Sequence, residues 1–271
     1  MAVQEPTTKT QVDPLASVDS KAELGAGVRI GPFCVIEPNV TIGDGTTIEA
    51  GAIIKSHTRI GRNCRIHAGA ILGDLPQDRK FRGEETYLKV GDNVVIREYT
   101  TLNRATGEGR ATEIGSDTML MAFCHVGHNC LIGERVTMAN QVGVSGHTVI
   151  EDNVVLGGIT GIHQYVRIGK LSIIGGYSKV VQDVPPFMMA DGRPSRVHGL
   201  NVIGLRRAGI PAAVRSELKL AYRLLYRDGL NMGHAVERIE SDVQPSKERD
   251  YLLDFLKRER SGLTGRQLEP H

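Results

Sequence analysis

The seven residues "CHVGHNC", 124 to 130, contain two cysteines and two histidines. Thiolate sulfur and imidazole nitrogen at such spacing are the ligand types of a zinc site. A histidine can also work as a general base, taking a proton from a nucleophile as it attacks an acyl group. Which chemistry applies depends on which of the four side chains share a face. That is decided by the elements that carry them.

The chain has a period of six. Stepping from Val18 gives Leu24, Ile30, Ile36, Ile42, Ile48 and onward to Val180, and of these 28 positions 25 hold Val, Leu, Ile or Met; the exceptions are Asp78, Glu84 and Glu108. Two residues before each aliphatic stands a small or β-branched residue, as at Val28, Cys34, Val40, Thr46 and Ala52. Glycine often follows the aliphatic, as at Gly25, Gly31, Gly43 and Gly61. An α-helix, with its 3.6 period, cannot keep a strict repeat of six on one face. A short strand and a turn can, since residues two apart on a strand face the same way. Glycine is expected in the turn for its positive φ. The pattern resembles the hexapeptide-repeat family over residues 18–180. That resemblance implies a left-handed parallel β-helix, a triangular prism with three hexapeptides per coil. It also implies an acyltransferase scaffold, a homotrimer and active sites between subunits.

All four cysteines, 34, 64, 124 and 130, fall in the small register. They are expected to point inward as reduced small hydrophobes, so the zinc reading loses its sulfur ligands. The histidines lie outside both inward registers and are expected to face out. With eighteen residues per coil, Val126, Val144 and Ile162 stack. His125, His128, His147 and His163 then gather at one corner of three successive coils, within roughly 10 Å along the axis. Such a cluster suits a general base with substrate contacts. It also suits histidine ligation of a metal, because three histidines can hold a catalytic zinc.

The three exceptions mark two charged excursions, "GDLPQDRKFRGEETYL" (73–88) and "NRATGEGRAT" (103–112), expected as loops on one side of the solenoid. After Val180, Pro185 and Pro186 interrupt the ladder, and from about residue 197 the period turns helical. Pro211 suits a first helical turn, Val214, Leu218, Ala221 and Leu225 form an apolar stripe, and Gly229 is a stop. Asn231 and Ser246 are N-caps for helices over about 232–242 and 247–260. The expected organisation is mainly β: a flexible N-terminus over 1–11, a β-helix over 12–196, and an α-helical C-terminal domain over 197–271. Arg215, Lys219, Arg223 and Arg227 recur at steps of four. They make either a solvated face or a docking strip for an acidic partner.

Composition narrows the class. Aromatics are 4%, tryptophan is absent and glycine numbers 32, which points to a core of small and branched aliphatic side chains. A net charge of +2 provides no field for nucleic acid. Four cysteines do not suggest a disulfide framework. The polar N-terminus has no apolar signal core, and no stretch approaches the roughly 18 apolar residues of a membrane span. A soluble, cytoplasmic protein is expected.

Seven segments refine the resemblance: "IGPFCVIEPNVTIGDGT", "PQDRKFRGEET", "HVGHNC", "VSGH", "GIHQY", "QDVPP" and "NVIGLRRAGI". In this order, ahead of a helical C-terminal third, they resemble the UDP-N-acetylglucosamine O-acyltransferases that begin lipid A synthesis. The resemblance implies transfer of an (R)-3-hydroxyacyl group from acyl carrier protein, with its phosphopantetheine arm, to the 3-position of UDP-N-acetylglucosamine. No metal or other cofactor is implied. By motif His128 is the general base, and the N–H of Gly146 is the donor to the tetrahedral intermediate. His125 supports the site, while His147, His163 and Gln164 contact substrate. Asp78 and Lys80 lie near the sugar, and Asn201 and Arg207 contact the nucleotide or the pantetheine arm. The resemblance favours the basic strip as a docking site for acyl carrier protein. It places acyl-chain selection in the 170–195 region, where Gly176 leaves room.

One position departs from that family. Aspartate follows the catalytic histidine in familiar members; here the residue is Asn129. Asparagine orients an imidazole but supplies no charge. Either another group compensates, or less is asked of the base, as it would be with a 3-amino acceptor. On the second view, Asn129→Asp helps a hydroxyl acceptor more than an amine. The alternatives are that amine acceptor on the same scaffold, and a zinc-dependent, carbonic anhydrase-like hexapeptide protein.

Overall fold

The computed structural model describes residues 9–260. Strands of two to four residues recur from Gln11–Val12 to Lys179–Val180. Among the described residues these stack nine, nine and eight deep, each strand pairing with the one three further along the chain, and Met188–Gly192 and Ser195–Leu200 extend one nine-strand stack to an eleven-stranded sheet. The chain therefore visits the three sheets in turn, as a left-handed parallel β-helix. Val126 pairs with Val144, and Val144 with Ile162, so a plain coil takes eighteen residues. The aliphatic register fills the prism: Ile36, Ile54, Leu72, Leu102, Val126 and Val144 are all buried.

Two coils are longer. Arg59 pairs with Lys89, thirty positions on, and Lys89 with Glu113, twenty-four on. The surplus is two hexads and then one, which are those of Asp78, Glu84 and Glu108. Both excursions leave the edge between the nine- and eight-stranded sheets, after Ile71–Asp74 and Thr101–Asn103. The next strand in that stack, His125–Val126, leads into the corner that holds His128.

The glycines need a different explanation from the one expected. Positive φ falls three residues after the aliphatic, at Asn39, Asn63, Asn129 and His147, and at Gly27, Gly45, Gly51 and Gly69. The glycines that directly follow the aliphatic serve close approach of the coils. A Cβ on Gly43 would lie 2.6 Å from the carbonyl carbon of Gly61, and one on Gly115 would lie 2.5 Å from that of Gly133. Backbone stacks on backbone at this edge, and no side chain can yield.

The cysteines behave as the small register demands. The thiols of Cys34, Cys64, Cys124 and Cys130 donate to the carbonyls of Glu49, Gly91, Ala139 and Ser145 at 3.0–3.2 Å. Thr46, Thr118 and Thr160 make the same bond with their hydroxyls, to Gly61, Gly133 and Gly175. All four thiols are free and buried. Burial pushes Cys124 up to about 11 and Cys130 to about 12. The cysteines of "CHVGHNC" thus face into the prism and its histidines face out, and the four side chains do not converge.

The C-terminal region departs from expectation at its start. Ser195–Leu200 is a strand, paired antiparallel with Met188–Gly192 at the end of the eleven-stranded sheet, so helix begins only at Val202. Hairpin pairing overrides the apolar spacing there. Then follow α1 (Val202–Arg207), α2 (Ala212–Tyr226), α3 (Met232–Asp242) and α4 (Lys247–Arg260). Leu218, Ala221 and Leu225 of α2 are buried as the stripe requires. Asn231 accepts from the N–H of His234, and Ser246 from that of Arg249. Tyr251 of α4 donates to Glu151 on the prism at 2.7 Å. At the other end Gln11–Val12 already pairs with Arg29–Ile30; residues 1–8 of the segment expected to be flexible, and 261–271 of the expected helical domain, lie outside the described residues. No helix among the described residues is long and apolar enough to cross a membrane.

Candidate active site

The corner after His125–Val126 sets the geometry. Asn129 takes φ 58° there, a left-handed conformation that asparagine tolerates. Its side-chain oxygen lies 2.9 Å from His128 Nδ1. The other ring nitrogen, Nε2, sits over Gly146 of the next coil, so closely that a Cβ at Gly146 would be 2.5 Å away. The coil ladder takes the N–H groups of Ser145 and His147, to Ile162 and His128, and among the described backbone hydrogen bonds none is donated by Gly146. A ring nitrogen thus lies against a glycine whose N–H donates none of the described backbone hydrogen bonds.

The other histidines surround it. His147, at φ 60°, packs edge-on against His128 with ring centres 5.0 Å apart, and is stacked in turn on Tyr165 at 4.9 Å. Thr101 Oγ1 holds His125 Nδ1 at 2.8 Å. Burial favours neutral His125. Burial also favours neutral His147, reinforced by His128, Arg110 and Lys80 and opposed by Asp78. Asp78 reaches in from the 73–88 loop, its Oδ2 4.0 Å from His128 Nδ1. The backbone N–H of Lys80, and then the charge of His128, hold that carboxyl below the usual carboxylate range. Among the described residues, no three His, Cys, Asp or Glu side chains are arranged to hold a metal ion.

A groove of about 560 Å³ opens beside His128. Its floor is the outer face of the nine-stranded sheet, where His125, Gly143, Gly161 and Lys179 follow one another on successive coils. His163 and Gln164 line it, and nothing would meet a Cβ on Gly143 or Gly161 within 4 Å.

The structure brings together His125, His128, Gly146, His147, His163, Gln164 and Asp78, with Lys80 close by. It does not bring Asn201 or Arg207 to them within one chain. Asn201 is buried at the start of α1, accepting from Gly204 N–H and donating to the carbonyl of Leu171 at a different edge of the prism. Arg207 is exposed at the end of α1. Gly176 is not part of the groove lining. Sequence reasoning missed Thr106, Arg110, Gly143, Gly161 and Lys179. Glycine twice running in the outward strand position, at 143 and 161, was the available signal for the groove. Thr106 and Arg110 carried none, because a loop's return path is not written in the period.

Fold and site define a hexapeptide-repeat transferase with an outward histidine as its candidate base. A family model described as bacterial transferase hexapeptide matches residues 21–56, 39–74 and 111–146. Another, described as Udp N-acetylglucosamine O-acyltransferase, domain 2, matches 183–264. The acyl-[acyl-carrier-protein]–UDP-N-acetylglucosamine O-acyltransferase of Alkalilimnicola ehrlichii is 49% identical over 256 residues, 94% of this chain and 99% of its own. That of Gloeothece citriformis is 46% identical over 197 residues, 72% of this chain and 70% of its own. The solved structure of LpxA from Acinetobacter baumannii aligns with a TM-score of 0.89 at 38% identity, covering 96% of this chain and 99% of its own. The chain belongs to the UDP-N-acetylglucosamine O-acyltransferase family. The relatives' names state transfer to oxygen, and favour neither the amine acceptor nor the carbonic anhydrase-like reading.

Proposed function

We propose that this chain moves an (R)-3-hydroxyacyl group from the phosphopantetheine thioester of acyl carrier protein to the 3-hydroxyl of UDP-N-acetylglucosamine. This is the first step of lipid A synthesis, placed in the cytoplasm and run without a metal or other cofactor. The observation that carries the reading is His128 Nε2 poised over Gly146. A sugar hydroxyl is a poor nucleophile at neutral pH. His128 takes its proton as the oxygen attacks the thioester carbonyl. The developing oxyanion accepts from Gly146 N–H. The C–S bond then breaks, and His128 returns the proton to the departing thiolate. Lys80, His125, His147, His163 and Gln164 contact the substrates, and the glycine-floored groove takes the acyl chain.

Arg207, exposed at the end of α1, completes the site from a second copy in a homotrimer, while Asn201, buried and bonded within its own chain, sets α1 in place. A row of exposed aromatics supports that assembly. Phe33, Tyr99, Phe123 and Tyr177 stand 56–67% exposed along the edge between the eleven- and nine-stranded sheets, Phe123 and Tyr177 on coils that carry the groove. Acyl carrier protein, being acidic, docks on the strip of α2.

The test is acyl transfer from 3-hydroxyacyl carrier protein to UDP-N-acetylglucosamine. His128→Ala should lower kcat by roughly 10²- to 10⁴-fold, with circular dichroism and sedimentation unchanged, and His125→Ala should cost less. Full turnover in both variants would refute the reading. A larger loss in His125→Ala would move the base to that residue.

A further inference from the structure

The hydrogen bonds of Asn129 decide which nitrogen of His128 is free. Thr106 N–H donates to Asn129 Oδ1 at 2.9 Å, and Asn129 Nδ2 donates to the Thr106 carbonyl, also at 2.9 Å. A backbone N–H only donates and a carbonyl only accepts, so Thr106 dictates which end of the amide is which. The oxygen so placed is the atom 2.9 Å from His128 Nδ1. It has no proton to give, so Nδ1 must carry the hydrogen. The lone pair is then on Nε2, the nitrogen over Gly146.

Charge comes from a different residue. Asp78 Oδ2 lies 4.0 Å from the same Nδ1, while Asp78 Oδ1 accepts from Lys80 N–H at 3.0 Å. The carboxylate is therefore aimed at the ring by its own loop. Like any aspartate outside an apolar site it is ionised at neutral pH, and the Lys80 N–H favours that form further. Asp78 and Thr106 sit on the two inserted excursions, so both loops close on one imidazole.

We propose that this chain divides between two residues the work that one aspartate would do: Asn129 is the positioning residue that locks His128 as the Nδ1–H tautomer and ties the 103–112 loop to it, and Asp78 is the carboxylate that faces the imidazolium. The inference rests on His128 being the base. It revises the expectation for Asn129→Asp. That change would set a carboxylate oxygen where Nδ2 now donates to the Thr106 carbonyl, and would add a second negative group beside Asp78. The hydroxyl acceptor gains nothing from it.

The experiment uses the full chain labelled with ¹⁵N-histidine, with His128 assigned by the signals lost in His128→Gln. Long-range ¹H–¹⁵N spectra at about pH 8, above the ordinary histidine range, should show a protonated Nδ1 and a bare Nε2. Asn129→Ala should give mixed tautomers and lower kcat by roughly 10- to 10⁴-fold, the upper figure being the cost of a wrongly held tautomer. KM for UDP-N-acetylglucosamine should stay within about twofold, since this residue acts through His128. Asn129→Asp should keep the Nδ1–H form with kcat no higher than that of the parent. Asp78→Asn should keep the tautomer and lower kcat. A bare Nδ1 in the parent chain, or an unchanged tautomer in Asn129→Ala, would overturn the lock. Faster turnover in Asn129→Asp, or full turnover in Asp78→Asn, would overturn the division. A parent chain with the Nδ1–H form and no acyl transfer would uphold the lock and sink the transferase reading.

Discussion

At the residue scale, the site keeps two of its histidines neutral around the one assigned as base. Burial disfavours charge on His125, and burial with neighbouring positive groups disfavours it on His147. Both folded-state pKa values therefore lie below the ordinary 6.5 of the unfolded chain. As pH falls through 6.5 the unfolded chain takes up these protons first. The stability these groups contribute is thus full above 6.5 and is lost below it, towards the depressed folded values. Urea midpoints should fall between about pH 7.5 and 5.5. They should fall less in His125→Gln, whose amide can still meet Thr101 but cannot titrate in this range. Parallel pH curves for the two proteins would contradict the assignment.

At the element scale, glycine has two separate jobs. Gly115 leaves no room, since the backbone of Gly133 stands where its Cβ would be. Gly51 has open space but a φ of +69°. Gly115→Ala should therefore cost about 2–3 kcal/mol, at the upper end of overpacking. Gly51→Ala should cost about 1 kcal/mol, the strain of a left-handed alanine. Denaturant titration of the two variants checks the order, and a reversed order would mean that conformation rather than contact selects glycine at the stacked edge. The aromatic and polar residues at other positive-φ corners, such as Phe33, Asn63 and Tyr99, agree with the milder cost there.

At the scale of the whole molecule, the proposed docking of acyl carrier protein draws on a strip that is partly occupied within the chain. Arg215 donates to the Ile210 carbonyl, Arg223 lies 3.6 Å from Asp228, and Arg227 donates to Tyr222 Oη at 3.1 Å. Lys219 and Arg223 remain exposed. Reversing both, Lys219→Glu with Arg223→Glu, should raise KM for the acyl carrier protein several-fold at low salt. The gap should close as ionic strength rises, because rim charges act through screened encounter. KM for the UDP-sugar should not move. Equal KM values for the carrier protein at low salt would make the strip an ordinary solvated face.

A period of six is local information. It was enough to define the short strands, the inward cysteines, the outward histidines and the three surplus hexads, because every hexad repeats one burial rule on neighbouring residues; the three-faced coil, and with it the gathering of the histidines at one corner, came from the resemblance to the hexapeptide-repeat family. The caps Asn231 and Ser246 were legible for the same reason: each bonds a backbone group three residues away. What depended on distant chain was not legible. The strand Ser195–Leu200 owes its state to Met188–Gly192, and stacked glycines owe theirs to the coil beside them. The partners of His128 come from residues 22 and 50 positions earlier, Thr106 through Asn129 and Asp78 directly. Only the folded return of the two loops brings a backbone carbonyl, an amide and a carboxylate to one ring, and that return sets which nitrogen is left free to take a proton.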